Sequence, residues 1–424
     1  MTSIVLLAGE TSGDILASYL LKGLRAQGCT LPVWGIGGPA LAAQGMECVE
    51  SIDSLAVRGY VEVIGALPRL WNLRRALMAQ AAHRKPSLCI TVDAPDFNLA
   101  FAAKMKALGV PTVHFISPSI WAWRRERMVD IKLAVDLMLC VFPHEPALYR
   151  AAGVAACYVG HPMAQAVPMQ TNRAAARAAL GIVPAAQVVD AGHASTSRQT
   201  ISQASTQASA QIISQTSTKK STKKSTKNSH TAPVIALLPG SRAAEIKYIL
   251  PRLLGAAQRM YSIHPAMLCV LPVASPALKT QVDALLSQHA GYGLNIITVL
   301  GRSDQVLAAA DIGIIASGTA TLEAALYKLP MVITYAMPRS SWAIMGHKNY
   351  LPWVGLPNIL CQKWVVPELL QSQATPQALA NEALALLADV PRRQAIVERF
   401  VQLHESLRCD TQTLAARAVM RLLP

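Results

Sequence analysis

The chain has 424 residues, of which 52% are hydrophobic and 15% charged, and carries a formal charge of +15. That length exceeds what a single core usually fills, so two domains are expected, each with ample apolar material. No run of about 18 apolar residues occurs, and the first residues enter a strand pattern with no basic leader, which argues against a spanning or secreted chain.

Ser3 to Ala8 reads as a first strand, with Gly9-Glu10-Thr11-Ser12-Gly13-Asp14 as a glycine turn into a helix from about Ile15 to Gln27. Glycines let a ligand approach the backbone, and the N–H groups of a helix start favour an anion or a hydroxyl-rich group. The spacing is not GxGxxG, so a dinucleotide site is poorly supported and a plain tight turn is an equal alternative. Pro32 to Ile36 is a second strand.

Val61 to Met78 (VEVIGALPRLWNLRRALM) places Leu67, Leu70, Trp71, Leu77 and Met78 near helical spacing, with Arg69, Arg74 and Arg75 beside them. An apolar stripe with a basic rim suits an interfacial membrane helix; an ordinary helix packed on a sheet gives the same spacing.

Ser87 to Val92 is apolar and rich in β-branched residues, as a strand buried on both faces requires, and it ends in DAPDFN. Asp93 falls at the carboxyl end of that strand, the edge that faces the ligand crevice in open α/β sheets. Pro95 stops the strand, and Asp96 is expected to cap the following helix. Thr112 to Ile116 is the next strand. It runs into Ser117-Pro-Ser-Ile-Trp-Ala-Trp-Arg-Arg125, where Trp121 and Trp123 are either a stacking surface for sugar or base, or core aromatics. Asp136 to Phe142 is a further strand, and His161 before Pro162 reads as a turn residue.

After a short helix from Thr171 to Leu180 the composition changes. Residues 187–232 hold 18 Ser or Thr among 46 and no aromatic residue, so they are expected to be a disordered, dispensable insertion. Arg198, Lys219, Lys220, Lys223, Lys224 and Lys227 lie there against one acid, Asp190, so the net charge gives little support to nucleic-acid binding. The eight cysteines are scattered with no CxxC, a pattern of reduced core thiols in a cytoplasmic protein.

The second half repeats the α/β rhythm. Val234 to Leu238 is a strand, Pro239-Gly240-Ser241-Arg242 a turn, and Glu245 to Arg259 a helix; Met267 to Leu271 and Asn295 to Val299 are further strands. Asp311 to Ala316 ends in Ser317-Gly318-Thr319-Ala320-Thr321-Leu322-Glu323, a helix start able to hold a phosphate, with Glu323 one turn in where it can grip a ribose diol. Arg242 is placed to answer the same phosphates.

Together, AGETSGD (8–14), DAPDFN (93–98), SPSIWAWR (117–124), GHPM (160–163), LLPGSR (237–242), SGTATLE (317–323) and GLPN (355–358) resemble the lipid A disaccharide synthase family over nearly the whole chain except 187–232. The resemblance implies two Rossmann-like, doubly wound parallel-sheet domains facing a cleft, the arrangement of GT-B glycosyltransferases. It also implies an inverting transfer of 2,3-diacylglucosamine from UDP-2,3-diacylglucosamine to 2,3-diacylglucosamine 1-phosphate, with release of UDP. On this reading residues 1–170 form the acceptor domain, 171–393 the UDP-sugar domain, and 394–424 a helix returning to the first. Asp93 is then the general base. Glu10, Ser12, Gly13, Ser241, Arg242, Ser317, Gly318, Thr319, Ala320, Glu323 and Asn358 contact substrate. Acylated substrates favour the membrane reading of 61–78, with Val63, Leu67, Leu70, Trp71 and Arg74 at the inner-membrane surface. No D-x-D triplet occurs, and no cofactor or metal is implied. A UDP-sugar 2-epimerase shares the fold and a UDP site, and is the alternative.

Overall fold

In the computed structural model the described residues are 2–55, 60–121, 125–182, 232–289, 293–338, 342 and 351–423; of Thr11 and residues 60–66 only the backbone is described. Trp123, Arg124, the side chain of Val63 and residues 187–231 of the insertion lie outside them.

Seven strands make the first sheet: β1 (Ile4–Ala8), β2 (Val33–Gly37), β3 (Glu47–Ser51), β4 (Leu88–Val92), β5 (Thr112–Phe115), β6 (Leu137–Cys140) and β7 (Ala155–Tyr158). Their order is β3-β2-β1-β4-β5-β6-β7, all parallel. Six make the second: β8 (Val234–Leu238), β9 (Leu268–Val273), β10 (Ile296–Leu300), β11 (Ile312–Ala316), β12 (Met331–Tyr335) and β13 (Glu368–Leu370), in the order β10-β9-β8-β11-β12-β13, also parallel. Both sheets are therefore doubly wound, and the order reverses between β1 and β4 in one and between β8 and β11 in the other. These central strands are apolar throughout because helices cover both faces; β1, β4, β8 and β11 are buried at every residue. The crevice at each reversal is where such sheets take ligands.

Three expected boundaries move. The helix after β1 spans Glu10–Ala26, so Glu10 to Asp14 form its opening turns rather than a loop before it. The helix after β4 spans Pro95–Ala107 with Ala94, not Asp96, at its cap; the Asp96 carboxylate lies in the first turn and pairs with Arg127. The expected final helix is two, Val390–Leu407 and Thr411–Met420, separated where Asp410 accepts from the backbone N–H of Thr413 at 3.1 Å. The first meets the first domain only through its last residues, and the second lies along that domain. It packs on Glu10–Ala26 so closely that a Cβ on Gly23 would sit 2.5 Å from the Gln412 carbonyl oxygen.

The short helix Arg173–Ala179 belongs to the second domain, since Arg173 and Arg177 both pair with Asp311 ahead of β11, at 3.1 and 2.8 Å. The helix Tyr60–Arg84 divides the expected stripe. Leu77 is buried, and Leu70 and Met78 are half-buried against the core, while Leu67 and Trp71 are 54% and 52% exposed. The Arg75 guanidinium lies 4.9 Å from the Trp71 ring, and the half-buried Arg74 lies 6.0 Å from the ring of Phe97. Among the described residues no helix is long and apolar enough to cross a membrane.

Candidate active site

At the first reversal, β1 and β4 end side by side in Gly9 and Asp93. The Gly9 N–H donates to the Val92 carbonyl at 3.1 Å, and a Cβ on Gly9 would come within 2.3 Å of the Ala94 Cβ, so only glycine fits there. Asp93 and Ala94 are both left-handed, with φ of 56° and 42°, a conformation that costs a non-glycine residue energy and is held by its surroundings. Asn98 supplies part of that hold: its side-chain N–H donates to the carbonyls of Val92 at 3.2 Å and Asp93 at 2.8 Å. The Asp93 N–H bonds to the Phe115 carbonyl at 3.1 Å.

The helix Glu10–Ala26 runs past this corner, and Gly13 presents open backbone to it: a Cβ there would meet the Val92 oxygen at 3.5 Å and the Asp93 Cβ at 3.7 Å. Burial raises the pKa of the Asp93 carboxyl and the negative charge of Glu10 raises it further, against a hydrogen bond from the Ala94 backbone that lowers it. Glu10 and Ser12 are exposed around the same corner. Asp14, in the same motif, is structural, since its carboxylate accepts from the N–H groups of Gly38, Ala40 and Leu41 at 2.8, 2.9 and 3.2 Å.

At the second reversal, Gly240 has φ 110°, and a Cβ on it would lie 2.2 Å from a carboxylate oxygen of Glu245. That carboxylate accepts from the backbone N–H groups of Ser241 and Arg242 at 2.9 and 3.2 Å, so these two donors are already engaged. The Arg242 guanidinium is 73% exposed and reaches Glu245 only at 3.4 Å. Across the crevice β11 gives way at Ser317 and Gly318 to the helix Thr319–Leu326, whose first turn holds Thr319 and Ala320. The Ser317 hydroxyl donates to the Val354 carbonyl at 3.1 Å. Glu323, one turn in, accepts from the Ser303 hydroxyl at 3.4 Å; burial raises its pKa, and Asp304 adds to the rise. Tyr335, at the end of β12, shares the field of Arg242 and Glu245; its sequence gives no sign of this, because the β12 pattern does not show which strand it joins.

Asn358 and Trp121 both sit in buried hydrogen-bond networks. Asn358 is fully buried: its side-chain N–H donates to Val366 O and Glu368 Oε1, both at 2.8 Å, and its oxygen accepts from the N–H groups of Val365 and Val366 at 2.8 and 3.0 Å. These bonds brace the loop before β13. Trp121 is a core aromatic whose indole N–H donates to the buried Glu145 at 3.0 Å. His161 is a turn residue, accepting from the Met163 N–H at 3.3 Å.

The family model for lipid-A-disaccharide synthetase matches residues 4–212 and 208–419. The chain is 43% identical over 425 residues to the lipid-A-disaccharide synthase of Albidiferax ferrireducens, covering 99% of this chain and 97% of that one. It is 40% identical over 419 residues to that of Chromobacterium violaceum, with the same coverage of 99% and 97%. Among solved structures it resembles Acinetobacter baumannii MurG, with a TM-score of 0.54, 13% identity and coverage of 99% and 100%. It equally resembles a Neisseria meningitidis UDP-GlcNAc 2-epimerase bound to UDP-GlcNAc, with a TM-score of 0.54, 10% identity and coverage of 99% of both chains. Likeness at those identities is one of fold, and it places both domains in the GT-B arrangement.

Proposed function

The chain belongs to the lipid-A-disaccharide synthase family, and we propose that it transfers 2,3-diacylglucosamine from UDP-2,3-diacylglucosamine to the 6-hydroxyl of 2,3-diacylglucosamine 1-phosphate. The observation that carries this reading is Asp93: a carboxylate at the strand reversal, held left-handed at the end of a buried strand, with its pKa raised towards the range of a working base. Asp93 takes the proton of the acceptor 6-hydroxyl as that oxygen attacks the anomeric carbon. The bond from that carbon to the diphosphate breaks, and UDP leaves with the electron pair. Arg242 and the N–H groups at the start of the 319–326 helix stabilise the charge that develops on the diphosphate, Glu323 holds the ribose, and Ser241, Ser317, Gly318, Thr319 and Ala320 shape the same crevice. Glu10, Ser12 and Gly13 line the acceptor side.

Incubation with both lipids, followed by mass analysis, is expected to give one disaccharide phosphate per UDP. Epimerised UDP-sugar formed without acceptor would instead favour the epimerase reading. The pH profile of kcat/KM tests the electrostatics. The base form of Asp93 is populated only above its pKa, so the acid limb should lie above the ordinary carboxylate range. Glu10→Gln removes the neighbouring negative charge and should move that limb to lower pH. A limb at the same pH in both enzymes would show that Glu10 does not reach the base.

We also place the enzyme on the cytoplasmic side of the inner membrane, held peripherally by the outward face of the Tyr60–Arg84 helix. Leu67 and Trp71 are its exposed apolar residues and Arg75 its adjacent cation, while Leu70 and Arg74 face the core side. The core side of the same helix meets the helix that follows Asp93, through Arg74 over the ring of Phe97. Leu67→Ser with Trp71→Ser should release the protein from anionic vesicles at unchanged melting temperature. Retention on vesicles would move the contact elsewhere.

A further inference from the structure

Lys328 follows the C-terminal end of the Thr319–Leu326 helix in a left-handed conformation, φ 58°, at the kind of position where glycine is the usual choice. Its side chain is buried, 7% exposed. The ammonium donates to the Pro168 carbonyl at 3.2 Å and to Nδ1 of His404 at 2.7 Å, neither of which carries a negative charge to offset its own. His404 is fully buried in the helix Val390–Leu407, and its Nε2 lies 2.7 Å from the Ala164 carbonyl. A carbonyl only accepts, so Nε2 carries the ring proton and Nδ1 is left as the acceptor for the lysine.

These contacts fall where the two domains are joined. Ala164 lies in the helix Pro162–Ala166 that follows β7, and Pro168 lies in the connector leading to the second domain. The other crossing runs alongside: the His161 N–H donates to Leu407 O at 2.9 Å, the Tyr158 hydroxyl donates to Ser406 O at 2.6 Å, and a Cβ on Gly160 would lie 2.5 Å from the Cys409 Cβ. The helix that Lys328 follows begins at the nucleotide crevice.

We propose that Lys328 and His404 are positioning residues for the transfer, pinning the far end of the nucleotide-side helix to both segments that cross between the domains. The inference rests on the proposed transfer, because only a reaction between groups held on opposite domains depends on their register. The pair is kept at a cost to stability. Burial, with the positive charge of Arg408 adding to it, lowers the Lys328 pKa to about 8. Between that value and the unfolded lysine's ordinary value only the unfolded chain holds the extra proton, so stability rises with pH across that window; at neutral pH the burial penalty is felt in full. Burial also lowers the His404 pKa, with Lys328 and Arg408 adding to the fall, against a raising hydrogen bond to Ala164, so the ring stays the neutral acceptor. Replacing both partners by apolar residues can be as stable, whereas removing the lysine alone leaves the buried His404 Nδ1 and the Pro168 carbonyl without their donor, so a role in geometry has to be told apart from one in folding.

Lys328→Met in the full chain separates the two. The expected result is a folded protein with a melting temperature lowered by only a few degrees, unchanged UDP affinity by calorimetry, and kcat lower by about ten- to a hundredfold, the scale of an ångström of misplacement at the reacting atoms. Lys328→Met with His404→Phe removes both partners and should match the single variant in kcat, since the two act as a unit. Wild-type kcat in folded Lys328→Met would overturn the proposal. So would unfolding of both variants, which would make the pair a fastening of the fold. If the wild type itself forms no disaccharide, the functional reading fails instead.

Discussion

Asp93→Asn is expected to lower kcat by about 10²–10⁴ while UDP affinity, set by the other domain, stays as it is. The substitution keeps the shape and the left-handed corner, because the contacts that hold it come from backbone: the Asp93 N–H to Phe115 and the two carbonyls held by Asn98. What it removes is the basicity of a carboxylate whose burial already favours proton uptake. Asp96→Asn is the control. Its carboxylate meets Arg127 at the first turn of the helix, so its loss should be read in stability, with kcat within tenfold. The reverse outcome, an active Asp93→Asn and an inactive Asp96→Asn, would exchange the two roles.

Arg242→Ala should weaken UDP binding by about 1.5–3 kcal/mol, the range for hydrogen bonds to a charged group, or about 10- to 150-fold in Kd. The guanidinium is exposed and weakly tied to Glu245, so it is available to the diphosphate. The turn should survive, because Glu245 keeps its bonds from the N–H groups of Ser241 and Arg242 without the side chain. Since the existing ion pair is solvent-screened, its loss should barely move the melting temperature. Calorimetry decides the matter, and unchanged UDP affinity removes Arg242 from the site.

The two strand reversals were legible because their strands are buried on both faces and so read as short apolar runs cut off by Asp93-Ala-Pro or Ser317-Gly318. The strands β3, β7, β12 and β13 were not read; β3 is a partly exposed edge strand carrying Glu47 and Glu50, and β13 has only three residues. Propensity misplaced the start of the first helix. Gly9 to Asp14 has turn chemistry, yet tertiary packing makes Glu10 to Asp14 helical so that Gly13 can lie against Asp93. Asp96 misleads for a related reason: a polar residue in a recognisable motif looks like a cap until its partner, Arg127, is in place. The pairing of Lys328 with His404 joins residues 76 apart and has no signature in either local sequence.

In the proposed reaction a base on one domain activates the acceptor against a sugar held on the other, in a single displacement. Such a displacement inverts the anomeric centre. The anomeric configuration of the disaccharide formed by the purified chain, read by the one-bond coupling at that carbon in an NMR spectrum, tests it most directly. A β-1,6 linkage from an α-linked UDP donor is the expected result; an α linkage would require an intermediate displacement and contradict the role given to Asp93.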